Sequence, residues 1–247
     1  MRHVDLAAGV LVALIFGALA ALLAGVVLQP VPPPVWRHML FAVGVMPLIL
    51  GAMLYFVPVL TRSAPARAAL LVPAGAFGLG IGAVFAFHAL PQALPGLAAA
   101  AAVLVCIEIA WIWRRRQATL GGPHAGVDWY LAALIALALA LASIVSRVVW
   151  PEWAVTRIVH LHLNLFGFLG LTAIGTLRVL LPTVLGERDP DALPFLRRQL
   201  PLAVAGALGI SLGAAYGLPL ALLGLLAWLW PALLLLRAVM RTSGRQW

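Results

Sequence analysis

The chain has 247 residues, of which 64% are hydrophobic and only 9% charged. A soluble domain carries roughly a quarter charged residues, so the composition excludes an ordinary water-soluble globule and points to an all-α integral membrane protein. The formal charge is +9, every one of the sixteen Lys+Arg residues is Arg, and these arginines gather in short segments between apolar runs. That pattern fits topology and contact with anionic lipid, and it argues against nucleic acid as a partner.

A membrane helix needs about 20 mainly apolar residues. Eight stretches qualify: 5–28, 38–60, 67–89, 94–113, 128–149, 158–184, 199–217 and 219–240. In the first, "ALA" at 18–20 resembles a signal-peptide cleavage site. Its apolar run continues through Val27, which is long for a signal core, so it is read as a retained span. The third ends at His88, and "GLGIG" at 78–82 reads as close helix packing, since no Lys-Ser/Thr follows to make a phosphate loop. The fourth carries the single Cys106, expected to pack without disulfide or metal chemistry, and Glu108, a costly group at that depth unless protonated, paired or hydrated. Asp5 and Asp128 open the first and fifth spans, where an acid favours the helix N-terminus. Only "GLPL" joins the last two spans.

Arginine orients the spans. The N-terminus, the loops after spans two, four and six, and the C-terminal tail hold twelve arginines. The opposite loops hold three: Arg37, Arg147 and Arg157. Arg178 lies in the sixth span near its inner end, within snorkelling reach of the surface. The positive-inside rule places both termini in the cytoplasm of a bacterial inner membrane, with the outer ends of the spans at the periplasmic face. Trp36, Trp150 and Trp153 are expected at the outer interface, and Trp111, Trp113 and Trp129 at the inner one.

The two halves, 1–116 and 117–247, resemble each other. "HMLFAVGVMPLILGAMLYFVPVL" at 38–60 aligns with "HLNLFGFLGLTAIGTLRVLLPTV" at 162–184 at an offset of 124, pairing His38 with His162, Gly51 with Gly175 and Pro58 with Pro182. Four spans per half preserve direction, so the expected architecture is two parallel four-helix repeats about an axis normal to the membrane. That axis would bring His38 and His162 to one depth from opposite sides, as the two axial ligands of one haem. Arg37 and Arg157, near the outer ends of the same spans, are the candidate partners of its propionates. The bland alternative is a pair of neutral imidazoles hydrogen-bonded to neighbouring helices.

"HLHLNLFGFLGLTAIGTLRVLLP" resembles the haem-ligand helix of subunit I of the haem–copper oxidases, most closely the cbb type. "RHMLFAVGVMPLILGAMLYFVPVLTRS" resembles the second helix of those subunits, and also the first histidine helix of the NnrS family of haem- and copper-containing membrane proteins. The resemblance covers about 50 residues. It implies a low-spin haem b shared by His38 and His162, with His160 at the position that binds the high-spin haem. Those oxidase subunits have twelve helices in three four-helix arcs, whereas eight are expected here, as if the middle arc were absent. That arc carries the copper-binding histidines, including an adjacent His-His pair, and this chain has no such pair. Copper-coupled reduction of oxygen or NO is therefore not expected, and whether the chain is an enzyme at all stays open.

His160 lies two residues from His162, about 200° around a helix, so it faces away from it. It is a candidate for a second haem or a copper ion, or for a hydrogen bond at the outer interface. His88, also at an outer end, is a candidate to join it at a metal. Asn164 is a candidate to orient a ligand imidazole. His3 and His124 read as surface residues of the inner side. Three functions stand at this point. The first is a b-type cytochrome passing electrons near the periplasmic face, to or from a redox protein or quinol. The second is a haem- or copper-handling protein of NnrS type. The third is a membrane scaffold, with homo-oligomers open in every case.

Overall fold

The computed structural model describes residues 33–64, 66, 70–152, 154–184 and 189–243, with 11, 12, 15, 16 and 19 of the N-terminal stretch. Most of the span expected at 5–28, together with His3, Asp5 and Trp153, lies outside the described residues. Among them the protein is helical throughout, without a strand. Seven helices are long and apolar enough to cross a membrane: Pro34–Leu60, Leu71–Ala89, Pro91–Gln117, Gly126–Val148, Val155–Pro182, Ala192–Tyr216 and Leu218–Met240. They correspond to the second to eighth expected spans. The chain divides into two compact units, Met1–Glu108 and Ile109–Trp247.

In the first unit, helix α1 (Pro33–His38) passes directly into a seven-residue π-helix, Met39–Val45, and then into α2 (Met46–Leu60). Prolines 33 and 34 suit the first turn, where their missing N–H groups would have no intrahelical partner. Pro58 sits inside α2, three residues before its cap at Thr61. There Ser63 N–H reaches Pro58 O at 2.9 Å and Arg62 N–H reaches Val59 O at 3.3 Å. This is the paired closure usually built on glycine, yet the left-handed position is Arg62, at φ 51°. Helix α3 (Leu71–Ala89) lies against the π-helix through Gly80: a Cβ there would collide with the main-chain carbonyl of Ala42 and stand 3.0 Å from Val43 N. Close packing expected of "GLGIG" thus rests chiefly on its central glycine, with a looser approach at Gly82, where a Cβ would stand 3.3 Å from Leu97 Cδ2; Gly78 has nothing within 4 Å.

Helix α4 (Leu94–Gln117) runs past the apolar stretch and takes in Arg114, Arg115 and Arg116, which were expected in a loop. Arginine is a good helix former, and cations suit a helix C-terminus. Arg115 lies over the Trp111 ring at 4.4 Å and Arg116 over Trp113 at 5.4 Å. Cys106 is on an exposed side of this helix rather than packed inside the protein. Glu108 is 1% exposed, on the same buried face as Ala101, Val105 and Ile112. Among the described residues neither of its carboxyl oxygens has a hydrogen-bond partner, and no arginine pairs with it.

The second unit opens with α5 (Gly126–Val145), whose first-turn Asp128 accepts from Arg116 Nε at 2.5 Å. Trp129, expected at the membrane interface, is instead fully buried: its Nε1 donates to Leu196 O at 2.9 Å and its ring stacks on Phe195. Helix α6 (Val155–His162) leads into a second seven-residue π-helix, Leu163–Leu169, and then into α7 (Gly170–Val184). Arg178 in α7 is buried. It pairs with Asp189 and lies over the Phe195 ring at 5.1 Å instead of reaching the surface. Helices α8 (Ala192–Tyr216) and α9 (Leu218–Ser243) are joined by Gly217 alone. Their backbones touch: a Cβ on Gly209 would stand 2.8 Å from Gly224 Cα, and one on Gly206 2.6 Å from Trp228 N. This is small-residue packing of the kind that holds membrane helices together without a hydrophobic drive. Helix α8 begins well before residue 199, so Arg197 and Arg198 are helical too.

The bounds of the two π-bearing segments match at the offset that aligns the sequences. Adding 124 to His38, Met39–Val45 and Met46–Leu60 gives His162, Leu163–Leu169 and Gly170–Val184. The α-to-π junction, the seven-residue π run and the fifteen-residue α-helix with its proline all recur.

Candidate functional site

Both histidines of the aligned pair stand at the last α-helical position before a π-helix. π-helix is rare, usually a single-turn bulge, and frequent at functional sites. His38 is half-buried, with Nδ1 2.8 Å from Pro34 O, four residues back. His162 is half-buried, with Nδ1 2.8 Å from Ile158 O, also four residues back. A carbonyl oxygen only accepts, so Nδ1 carries the proton in each, and the lone pair of the neutral ring is on Nε2. Anchoring one ring nitrogen on a carbonyl is how metal-binding histidines are commonly oriented.

The ring environments differ. The His38 ring meets Phe87 of α3 at 4.5 Å, tilted by 55°. That of His162 lies over Phe166 of its own π-helix at 6.1 Å, within 12° of parallel. Phe166 in turn meets the Trp228 ring edge-on at 5.3 Å, and Trp228 Nε1 donates to Phe166 O at 3.1 Å. None of Phe87, Phe166 or Trp228 stands out in the sequence, because every expected span holds at least one aromatic residue.

His160 is held differently. Its Nδ1 donates across to Ala140 O of α5 at 2.9 Å, an oxygen that also accepts from Ser143 Oγ at 2.7 Å. Asn164 was a candidate to orient a ligand imidazole, and it does contact a histidine. It is His160, however, and the bond is from Asn164 Nδ2 to the main-chain oxygen at 2.8 Å. The 3.5 Å approach of Nδ2 to His160 Nδ1 is not a bond, since both nitrogens are donors once Ala140 O is satisfied. His88 is exposed in the last turn of α3. No group of three or more His, Cys, Asp or Glu among the described residues is placed to hold a metal ion. Arg37 and Arg157 are both exposed, Arg37 with its guanidinium 5.7 Å from the Trp36 ring.

His124 provides a contrast. It is half-buried at the start of α5, where Gly126 N–H donates to its Nδ1 at 3.1 Å, so here Nδ1 holds the lone pair. Burial, and then the nearby Arg197, hold its pKa below the ordinary histidine value. It is bonded to the first turn of α5 rather than standing as a free surface group.

Comparison of the chain with family models, with curated proteins and with solved structures gives no match.

Proposed function

We propose that the protein is a multi-pass membrane b-type cytochrome in which His38 and His162 are the two axial ligands of one haem b. The observation that carries this reading is the repeated local geometry: two histidines at equivalent α-to-π junctions, each with Nδ1 spent on the carbonyl four residues back. That donor set fits the group, because haem iron takes a neutral imidazole through Nε2. Exposed Arg37 and Arg157, on the histidine-bearing helices, are suitable cations for propionates. Held by these two histidines, a haem would supply one-electron transfer. The chain's own contribution is to fix the two rings through Nδ1 and to carry a cationic side chain on each of the two histidine-bearing helices.

The reading includes parallel four-helix repeats, both termini in the cytoplasm of a bacterial inner membrane, and electron exchange near the periplasmic face with a redox protein or quinol. It is supported by the arginine asymmetry, by the recurrence at offset 124 and by the resemblance of both histidine segments to haem–copper oxidase helices. His160, already bonded to α5, is assigned no ligand in it.

Reduced-minus-oxidised absorption spectra of the purified chain test it. A sharp α-band is expected, falling more than tenfold in His38→Ala and equally in His162→Ala. A colourless protein after haem-replete expression overturns the reading. Stoichiometric copper lost on substitution of His160 or His88 replaces it with metal handling.

A further inference from the structure

The aligned histidines share a backbone device but not the residue that faces the ring. At the position four beyond His162 stands Phe166, and at the equivalent position beyond His38 stands Ala42. Position i+4 lies one helical turn along from position i, and there the Phe166 ring is near-parallel to that of His162. Phe166 is itself held twice by one residue: the Trp228 indole N–H bonds its carbonyl, and the Trp228 ring meets its ring edge-on. Trp228 sits in a slot made by absent side chains, since a Cβ on Gly170 would stand 2.6 Å from its Cζ2 and one on Gly206 2.6 Å from its main-chain nitrogen. The chain of contacts therefore runs from the α8–α9 hairpin through Trp228 and Phe166 to His162.

We propose that Phe166 and Trp228 are positioning residues for His162, setting the plane of its imidazole by stacking Phe166 beneath it and clamping Phe166 from the last helix. The spectroscopic half of this inference rests on His162 being a haem ligand. Axial ring orientation controls the splitting of the iron d orbitals, so the g values of the ferric low-spin haem report the plane directly, whereas a packing defect that spares the ring leaves them unmoved.

The test uses the full chain in lipid nanodiscs, with Phe166→Leu, Trp228→Phe and Phe166→Tyr. The first removes the ring, the second the N–H donor, and the third keeps the ring. In Phe166→Leu and Trp228→Phe the largest g value is expected to shift by more than its line width, with haem content within twofold of the parent. In Phe166→Tyr it is expected to stay at the parent value. Unchanged g values in the first two overturn the proposal. If the parent chain shows no haem signal, the haem reading fails and the positioning is judged on ¹⁵N ring resonances instead. The His162 signal, assigned by its loss in His162→Gln, must then move in Phe166→Leu and not in Phe166→Tyr, while that of His124 stays in place. A stationary His162 signal overturns the positioning role. Should Trp228→Phe fail to fold, the Leu and Tyr variants of Phe166 decide alone.

Discussion

Residues 33–60 and 155–184 carry the same backbone and different surroundings. Each holds a histidine at an α-to-π junction, a seven-residue π run and a proline-containing helix. The equivalent carbonyls, Ala42 O and Phe166 O, are both approached from outside their own helix. Gly80 of α3 presses its backbone on the first, and the Trp228 indole donates to the second. The backbone geometry is thus kept while the means of covering it differs. What the two segments have in common is a ring anchored through Nδ1, and this is the part a ligand role requires. What they do not share is packing, which each unit provides in its own way.

The comparison breaks most readily at Gly80. Gly80→Val puts a branched side chain against main-chain atoms that cannot swing aside, and a loss of about 3 kcal/mol is expected, at the upper end for overpacking. Gly78→Val, two residues earlier in open space, is expected to stay within about 0.5 kcal/mol. Thermal unfolding in mild detergent measures both, and equal losses would show that the π-helix does not depend on that contact. A smaller effect of opposite sign is expected where α2 closes. Arg62→Gly relieves a left-handed residue of the Cβ clash, raising stability by about 1 kcal/mol, and an unchanged melting temperature would show that the exposed arginine repays the strain elsewhere.

The smallest effect sharpens the contrast among histidines. His124 has a lowered pKa because it is buried and close to Arg197, so the unfolded chain takes up a proton at higher pH than the folded one. Its contribution is present above about pH 6.5 and is lost as pH falls through the folded-state value. His124→Asn keeps an acceptor for Gly126 N–H and removes the titration. Its melting temperature is therefore expected to drop less than the parent's between about pH 7.5 and about pH 5. An identical acid sensitivity would assign that sensitivity to another group.

Hydropathy alone made seven apolar helices legible, because the length of an apolar run is what a bilayer demands. Their ends were less so. Arg114–Arg116, Arg197 and Arg198 mark where lipid would stop, but a helix does not stop there, since arginine propagates it. The partners of Trp129 and Arg178 were hidden for a related reason. A tryptophan or arginine near the end of a span looks the same in sequence whether it faces headgroups or a partner such as Leu196 O or Asp189. The histidine pairing at offset 124 was visible in the letters. The π-helices were not, since the apolar pattern carries no mark of i→i−5 bonding and the neighbours that meet these runs, Gly80 and Trp228, are remote in sequence. Asn164 could be placed beside the histidines but not assigned to one, because that choice turned on which carbonyls were already occupied.

The one-residue link at Gly217 bears on how the protein is made. A connection that short leaves no stretch of chain to wait outside while its partner threads through. Helices α8 and α9 are therefore expected to enter the membrane as one hairpin. A ribosome that stalls before α9 would release α8 with the glycine stripe Gly206, Gly209 and Gly213 bare to lipid, its backbone stripped of the partner that covers it. Such a product is expected to lose the close backbone packing that holds α8 against α9.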